Sequence, residues 1–126
     1  MLVEGIYTLL MGYAPLATIV SDRISPIILP KNPQLPAVTY FEVVSSASIG
    51  MDSTALTTSH VQVDVWALDY LTAKRGCDAI HSLLDGFSGT LSDGTVVKTV
   101  TSTDIPDIFE KDSLYYRCGT TYSVQH

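Results

Sequence analysis

Residues 57–86 read TTSHVQVDVWALDYLTAKRGCDAIHSLLDG, and this stretch decides the fold. Val61, Val63 and Val65 alternate with His60, Gln62, Asp64 and Trp66, the two-residue period of a half-buried strand. After Leu68 the period changes. Ala73, Cys77, Ile80 and Leu84 recur at three- and four-residue spacing, as the inner stripe of a helix does. Leu83 and Tyr70 support that stripe, while Lys74, Arg75, Asp78 and Asp85 point away. Asp69 stands where an N-cap accepts the first free amides, and Gly86 where a left-handed residue ends a helix. A strand therefore feeds a helix that packs back over the valine face. The opposite face is polar and ends in the only tryptophan. Gln62, Asp64 and Trp66 are candidate interface residues on this ground, since tryptophan is enriched where chains meet.

Toward the N-terminus, Leu2, Ile6, Leu9 and Tyr13 lie on one helical face, widened by Val3 and Leu10. Gly12 offers a left-handed stop, and Pro15 opens a short second helix with Leu16, Ile19 and Val20 inside. Residues 23–29, RISPIIL, predict an edge strand, because Pro26 removes an amide from any ladder. Pro30, Pro33 and Pro36 then impose a stiff extended connector. Residues 37–46 carry bulky side chains on both faces and predict a central strand. Residues 46–56, SASIGMDSTAL, lack periodicity and predict a loop too long for a tight hairpin. Ile49 and Met51, with Gly50 and Asp52 between and beside them, have no core to join and are candidate contact residues; a plain loop is the alternative.

Toward the C-terminus, residues 87–100 predict a hairpin turning at Ser92, Asp93 and Gly94. Residues 102–112 are punctuated by acids and a proline and predict a loop, tucked in by Ile105, Ile108 and Phe109. Residues 113–124 predict the last strand. Leu114, Tyr116, Cys118, Thr120, Tyr122 and Val124 share one face, Tyr115, Arg117, Gly119, Thr121 and Ser123 the other, and Gly119 suggests a bulge. The order of elements gives one α+β domain spanning 1–126, with a mainly antiparallel β-sheet and helices on one face.

The chemistry-bearing residues do not assemble a catalytic pattern. His60 and Asp64 share a strand face about 13 Å apart, too far for a base and its orienting carboxylate. Cys77 and His81 are four apart on the helix, but two ligands do not make a zinc site. No nucleophile elbow, phosphate loop or dinucleotide fingerprint occurs. We expect no enzyme activity, no metal and no cofactor. Cys77 and Cys118 read as small buried hydrophobes, with a disulfide the alternative.

Charged residues make up 16% of 126 residues and apolar ones 46%, with mean hydropathy +0.26. No apolar run reaches the length that spans a bilayer, so the expectation is no membrane and a surface partly covered by other subunits. A net charge of −6 with seven scattered Lys and Arg argues against gripping nucleic acid. The start lacks a basic, apolar leader, which implies synthesis in a reducing cytoplasm.

Several segments, in order, resemble the tail-completion (tail terminator) proteins of siphophages and prophages. They are LVEGIYTLLMGYAPLATIVSDRISPIILP at the start, LPAVTYFEVVS at 35–45, HVQVDVWALDYLTAKRGCDAIHSLLDGFSGTL at 60–91 and DSLYYRCGTTYSVQH at 112–126. The closing Val124, Gln125 and His126 depart from the Trp-His type of ending. The resemblance implies a bacteriophage structural protein forming a ring, typically a hexamer, at the head-proximal end of the tail. Such a ring ends tube polymerisation and receives the head-completion or connector protein during head-tail joining. Its implied partners are further copies of itself, the tail tube protein and the connector, with DNA passing through the bore unbound. A small adaptor or protein-binding module without ring formation is the competing expectation.

Overall fold

The computed structural model describes the backbone of residues 2–31, 34–49, 55–111 and 114–126 and, outside 44–49 and 55–56, their side chains. In chain order the elements are α1 (Leu2–Met11), α2 (Ala14–Val20), β1 (Ile24–Pro26), β2 (Ala37–Ile49), β3 (Ala55–Ala67), α3 (Tyr70–Leu84), β4 (Gly89–Thr90), β5 (Val96–Val97), β6 (Thr99–Asp104), β7 (Ile108–Glu110) and β8 (Tyr115–Gln125). The main sheet runs β1-β2-β3-β8-β6, and β7 also pairs with β8; only the β1–β2 pairing is parallel. The α+β architecture expected from the sequence is the one observed.

The strand-to-helix unit holds. Val61, Val63 and Val65 are buried and face α3, whose Ala73, Cys77, Ile80 and Leu84 are buried in turn. Register sets Val61 beside Tyr122, Val63 beside Thr120 and Val65 beside Cys118, so β8 continues the same inner face. On the other side Val38 and Tyr40 of β2 pair with Val65 and Val63, and Tyr7 of α1 packs on the Tyr40 ring at 5.7 Å. Leu16 and Val20 of α2 close the core. α1 and α2 meet at a 79° break, and neither they nor α3 is long and apolar enough alone to cross a bilayer.

Tight seating of α3 depends on Gly76. A Cβ there would stand 2.8 Å from Val65 Cγ1, so the missing side chain lets the helix backbone settle against β3. The ends of α3 follow the caps read from the sequence. Asp69 accepts from the Thr72 amide at 3.2 Å and from its hydroxyl at 3.1 Å, and Gly86 takes φ +74 just past the C-cap. Replacing Asp69 by alanine leaves that amide without a side-chain acceptor and lowers unfolding free energy by about 0.5–2 kcal/mol. Urea melts of the two proteins check this.

Several boundaries differ from the sequence reading. Residues 46–49 and 55–56 are strand and pair with each other or with β3, so both ends of the expected loop belong to a long antiparallel pair; residues 50–54 lie outside the described residues. Residues 102–104 and 108–110 are also strand rather than loop. Alternation of Val100 with Thr99, Thr101 and Thr103 lets them pair along the β8 edge despite the acids that follow. Of the three residues expected to tuck this segment in, Ile105 does so, whereas Ile108 and Phe109 are exposed. The hairpin near Asp93 and Gly94 is a separate two-stranded sheet of β4 and β5, and Val100 belongs to β6. Gly94 has φ +91, while Gly12 is not left-handed. β2 is central only as far as Tyr40, because short β1 leaves its outer edge uncovered beyond that point among the described residues. The irregularity in the sheet lies at Val43, where register shifts between Glu42 and Val44. β8 keeps continuous register through Gly119, which is therefore no bulge. Leu114 precedes β8 at φ 63 and is exposed, so it leaves the inner face. Tyr70 likewise leaves the helix stripe and reaches out to Asp107.

Candidate functional site

The face of the sheet opposite the helices is built from alternate residues of five strands. Register aligns Thr39 with Asp64 and Gly119, Phe41 with Gln62, Thr121 and Thr103, and His60 with Ser123 and Thr101. Ala37, Trp66 and Arg117 form the row at one end. Hydroxyls and amides dominate this face, and several of its polar groups pair with one another. Trp66 Nε1 donates to Thr39 Oγ1 at 2.9 Å. Gln62 Nε2 donates to both carboxylate oxygens of Asp64, at 3.1 and 3.0 Å. Ser123 Oγ and His60 Nδ1 lie 2.9 Å apart. Arg117 Nη2 donates to the Pro106 carbonyl at 3.3 Å, which anchors the link between β6 and β7.

Gln62, Asp64 and Trp66 therefore come together, as their spacing on one strand requires, but they are not equally accessible. Gln62 and Trp66 are half-buried, whereas Asp64 is 3% exposed in the subunit. Its carboxylate lies over Gly119, the neighbour directly across the ladder, and any Cβ on Gly119 would overlap Asp64 Oδ1. Ile105 covers the same spot. Ile49 ends β2, away from that cluster along the antiparallel pair. Gly50, Met51 and Asp52 lie outside the described residues.

Burial pushes the Asp64 carboxyl above the ordinary carboxylate range, with the Gln62 hydrogen bond and the Arg117 charge only partly offsetting it. The folded state thus holds this proton more tightly than the unfolded chain. The stability so gained is complete below the unfolded carboxylate pKa and is lost as pH rises through the raised folded value. Asp64→Asn removes that dependence. The stability of wild type relative to Asp64→Asn should fall as pH rises from the ordinary carboxylate pKa through the raised folded value, measured by urea titrations across the range; a constant or rising difference would contradict the assignment.

Two apolar surfaces escaped sequence analysis. Tyr70, Tyr116 and Phe109 form a ring cluster, with centroids 5.9 Å apart for Tyr70–Tyr116 and 4.7 Å for Phe109–Tyr116. Asp107 locks it in place, accepting from Tyr70 Oη at 2.6 Å and from Lys74 Nζ at 3.4 Å. No spacing rule joins residues from β7, β8 and α3, so only the tertiary fold reveals the cluster. The second surface is the tip after β1. Ile27 and Ile28 are 68% and 73% exposed, and Ile27 is held at φ 66, a costly conformation for a β-branched residue. Hydrogen bonds from the Ile27 amide to the Tyr40 carbonyl and from the Ile28 amide to the Pro26 carbonyl hold the tip there.

A shallow cavity of about 370 Å³ opens between α3 and the β6–β7 link, lined by Lys74, Cys77, His81, Asp104, Asp107 and Cys118 among others. Among the described residues no three His, Cys, Asp or Glu side chains converge as a metal site.

The subunit thus places helices on one side of the sheet and a polar, partly hydrogen-bonded face on the other. The family model for tail completion protein gp17 matches residues 4–125. The chain belongs to this family and is a structural component of a phage-type tail. Its fold is similar to a chain in the solved virion of a native gene transfer agent particle, with a TM-score of 0.74. That likeness has 18% sequence identity and covers 95% of this chain and 90% of the other. No curated protein sequence matches this chain.

Proposed function

We propose that this chain closes into a ring, six copies by the resemblance, at the head-proximal end of the tail tube. The ring ends tube polymerisation, receives the head-completion protein on its other rim and lets DNA pass through its bore. It acts by assembly and without catalysis. The observation that carries this reading is the one-sided architecture in a tail-completion chain. The helices cover one sheet face, while the other offers hydroxyls and amides, several of them paired with one another. Among the described residues at its register positions Arg117 is the one Lys or Arg, and its Nη2 is tied to the Pro106 carbonyl. A bore lined in this way contacts phosphates without the Lys and Arg that make binding tight. The exposed rings of Tyr70 and Phe109 and the Ile27–Ile28 tip supply apolar surface that neighbouring subunits or the tube would cover.

A heterologous interface closes into a ring of fixed copy number when its rotation divides a full turn, and otherwise grows into an open filament. Light scattering and negative-stain microscopy of the purified chain, alone and with tail tubes, test this. We expect discrete closed rings free or at tube ends. A chain that stays monomeric at high concentration and leaves tube ends bare would overturn the proposal and favour the adaptor reading.

A further inference from the structure

We propose that Cys77 and Cys118 are a peroxide-oxidisable thiol pair that forms a disulfide within the subunit, stapling α3 to β8. The inference rests on the fold and stands whether or not a ring forms.

Gly76 brings the α3 backbone down onto Val65, and Val65 is the register partner of Cys118. The next helical residue, Cys77, is thereby delivered to the inner face of β8. Its Sγ lies 3.6 Å from Thr120 Oγ1, two residues beyond Cys118 on the same face. Cys77 and Cys118 line the same cavity between α3 and the β6–β7 link, and both cysteines are free. A disulfide needs a close approach of the two Cβ atoms, and the seating of α3 on β3 and β8 brings these two side chains to one place.

Access and reactivity also differ from those of an inert core pair. Both residues line the 370 Å³ cavity, Cys77 being 8% exposed and Cys118 2%. A cavity of that volume admits hydrogen peroxide, which is only slightly larger than water. Hydrogen bonding with Cys118, with help from Thr120 and Lys74, holds the Cys77 thiol below its ordinary pKa, and the same pairing pushes the Cys118 thiol up. Cys77 is thus the attacking thiolate and Cys118 the resolving thiol. In the first step the Cys77 thiolate takes one oxygen from peroxide, forming a sulfenic acid as the O–O bond breaks and hydroxide leaves. In the second, Cys118 sulfur attacks the sulfenic sulfur, the S–S bond forms and hydroxide departs with the Cys118 proton as water. Two thiols and one peroxide give one disulfide and two waters. The staple constrains the unfolded chain between helix and last strand, so the oxidised subunit is more resistant to unfolding.

The test uses the purified full chain, reduced, desalted and exposed to hydrogen peroxide. Intact mass should fall by two hydrogens, and neither cysteine should alkylate under denaturing conditions. Peptide mapping should join the Cys77 and Cys118 peptides, and the melting midpoint should rise and return with reductant. Cys118→Ser should stop at a Cys77 sulfenic acid that dimedone traps, whereas Cys77→Ser should give neither product. Two alkylatable thiols persisting after peroxide, cross-links only between chains, or oxygen addition in place of hydrogen loss would each overturn the proposal. The wild-type mass decides the matter even if a variant fails to fold.

Discussion

Truncating Ile80 to alanine should lower the unfolding free energy by about 2–5 kcal/mol. Ile80 is 1% exposed at the centre of the α3 inner face. The loss combines the transfer free energy of the deleted carbons with a cavity that the surroundings cannot collapse to fill. The floor of that cavity is β3 and β8, locked by a ladder of ten register pairs. Its roof is a helix already seated against Val65 at Gly76. Arg75→Ala, on the exposed side of the same helix, should change stability by less than about 0.5 kcal/mol. Urea denaturation of the three proteins makes the comparison. Equal losses for Ile80→Ala and Arg75→Ala would show that α3 does not pack on the valine face.

The second large effect concerns the polar face. Gly119→Ala should cost about 1–3 kcal/mol, because the added methyl must displace Asp64, Ile105 or the strand itself. The cause is a specific overlap, so it is removable. In the Asp64→Ala, Gly119→Ala double variant the space vacated by the carboxylate receives the new methyl. The double variant should be less destabilised than the sum of the two single changes. Simple additivity would place the cost of Gly119→Ala elsewhere, in strand propensity or in the Ile105 contact.

Gly119 also shows why parts of the fold were illegible in the sequence. A glycine in a strand has two ordinary readings, a bulge or a close approach, and the local sequence suits both. What distinguishes them is the side chain across the ladder, here Asp64, set by a register 55 residues away in the chain that no local pattern encodes. The β3–α3 unit was legible for the opposite reason. Its period changes from two to 3.6 within a few residues, its cap is Asp69 and its stop is Gly86, and all of these signals are local. β6 and β7 were hidden by composition. Threonine, serine and acids on an edge strand read as a loop unless β8 is known to lie beside them. The same applies to residues 46–49, whose small side chains conceal a strand that β3 holds by backbone pairing.

The candidate site was half legible. Gln62, Asp64 and Trp66 do share the open face, because strand alternation guarantees it. Alternation cannot say that Asp64 is sunk between Gly119 and Ile105, or that Trp66 is tied to Thr39. The ring cluster of Tyr70, Phe109 and Tyr116 joins three elements and leaves no trace in spacing. The strained Ile27 had a partial signal in the Ile-Ile pair after Pro26, but its positive φ accompanies a hydrogen bond from its amide to the Tyr40 carbonyl across the sheet edge, which no local pattern encodes.

In its proposed role the chain stops the tail tube from growing and prepares it for the head. The most direct measurement is the tail-length distribution, by electron microscopy, of particles assembled without the chain. The prediction is tubes of uncontrolled length without attached heads, restored to uniform length and to head joining when the chain is supplied. Tails of normal length joined to heads in its absence would contradict it.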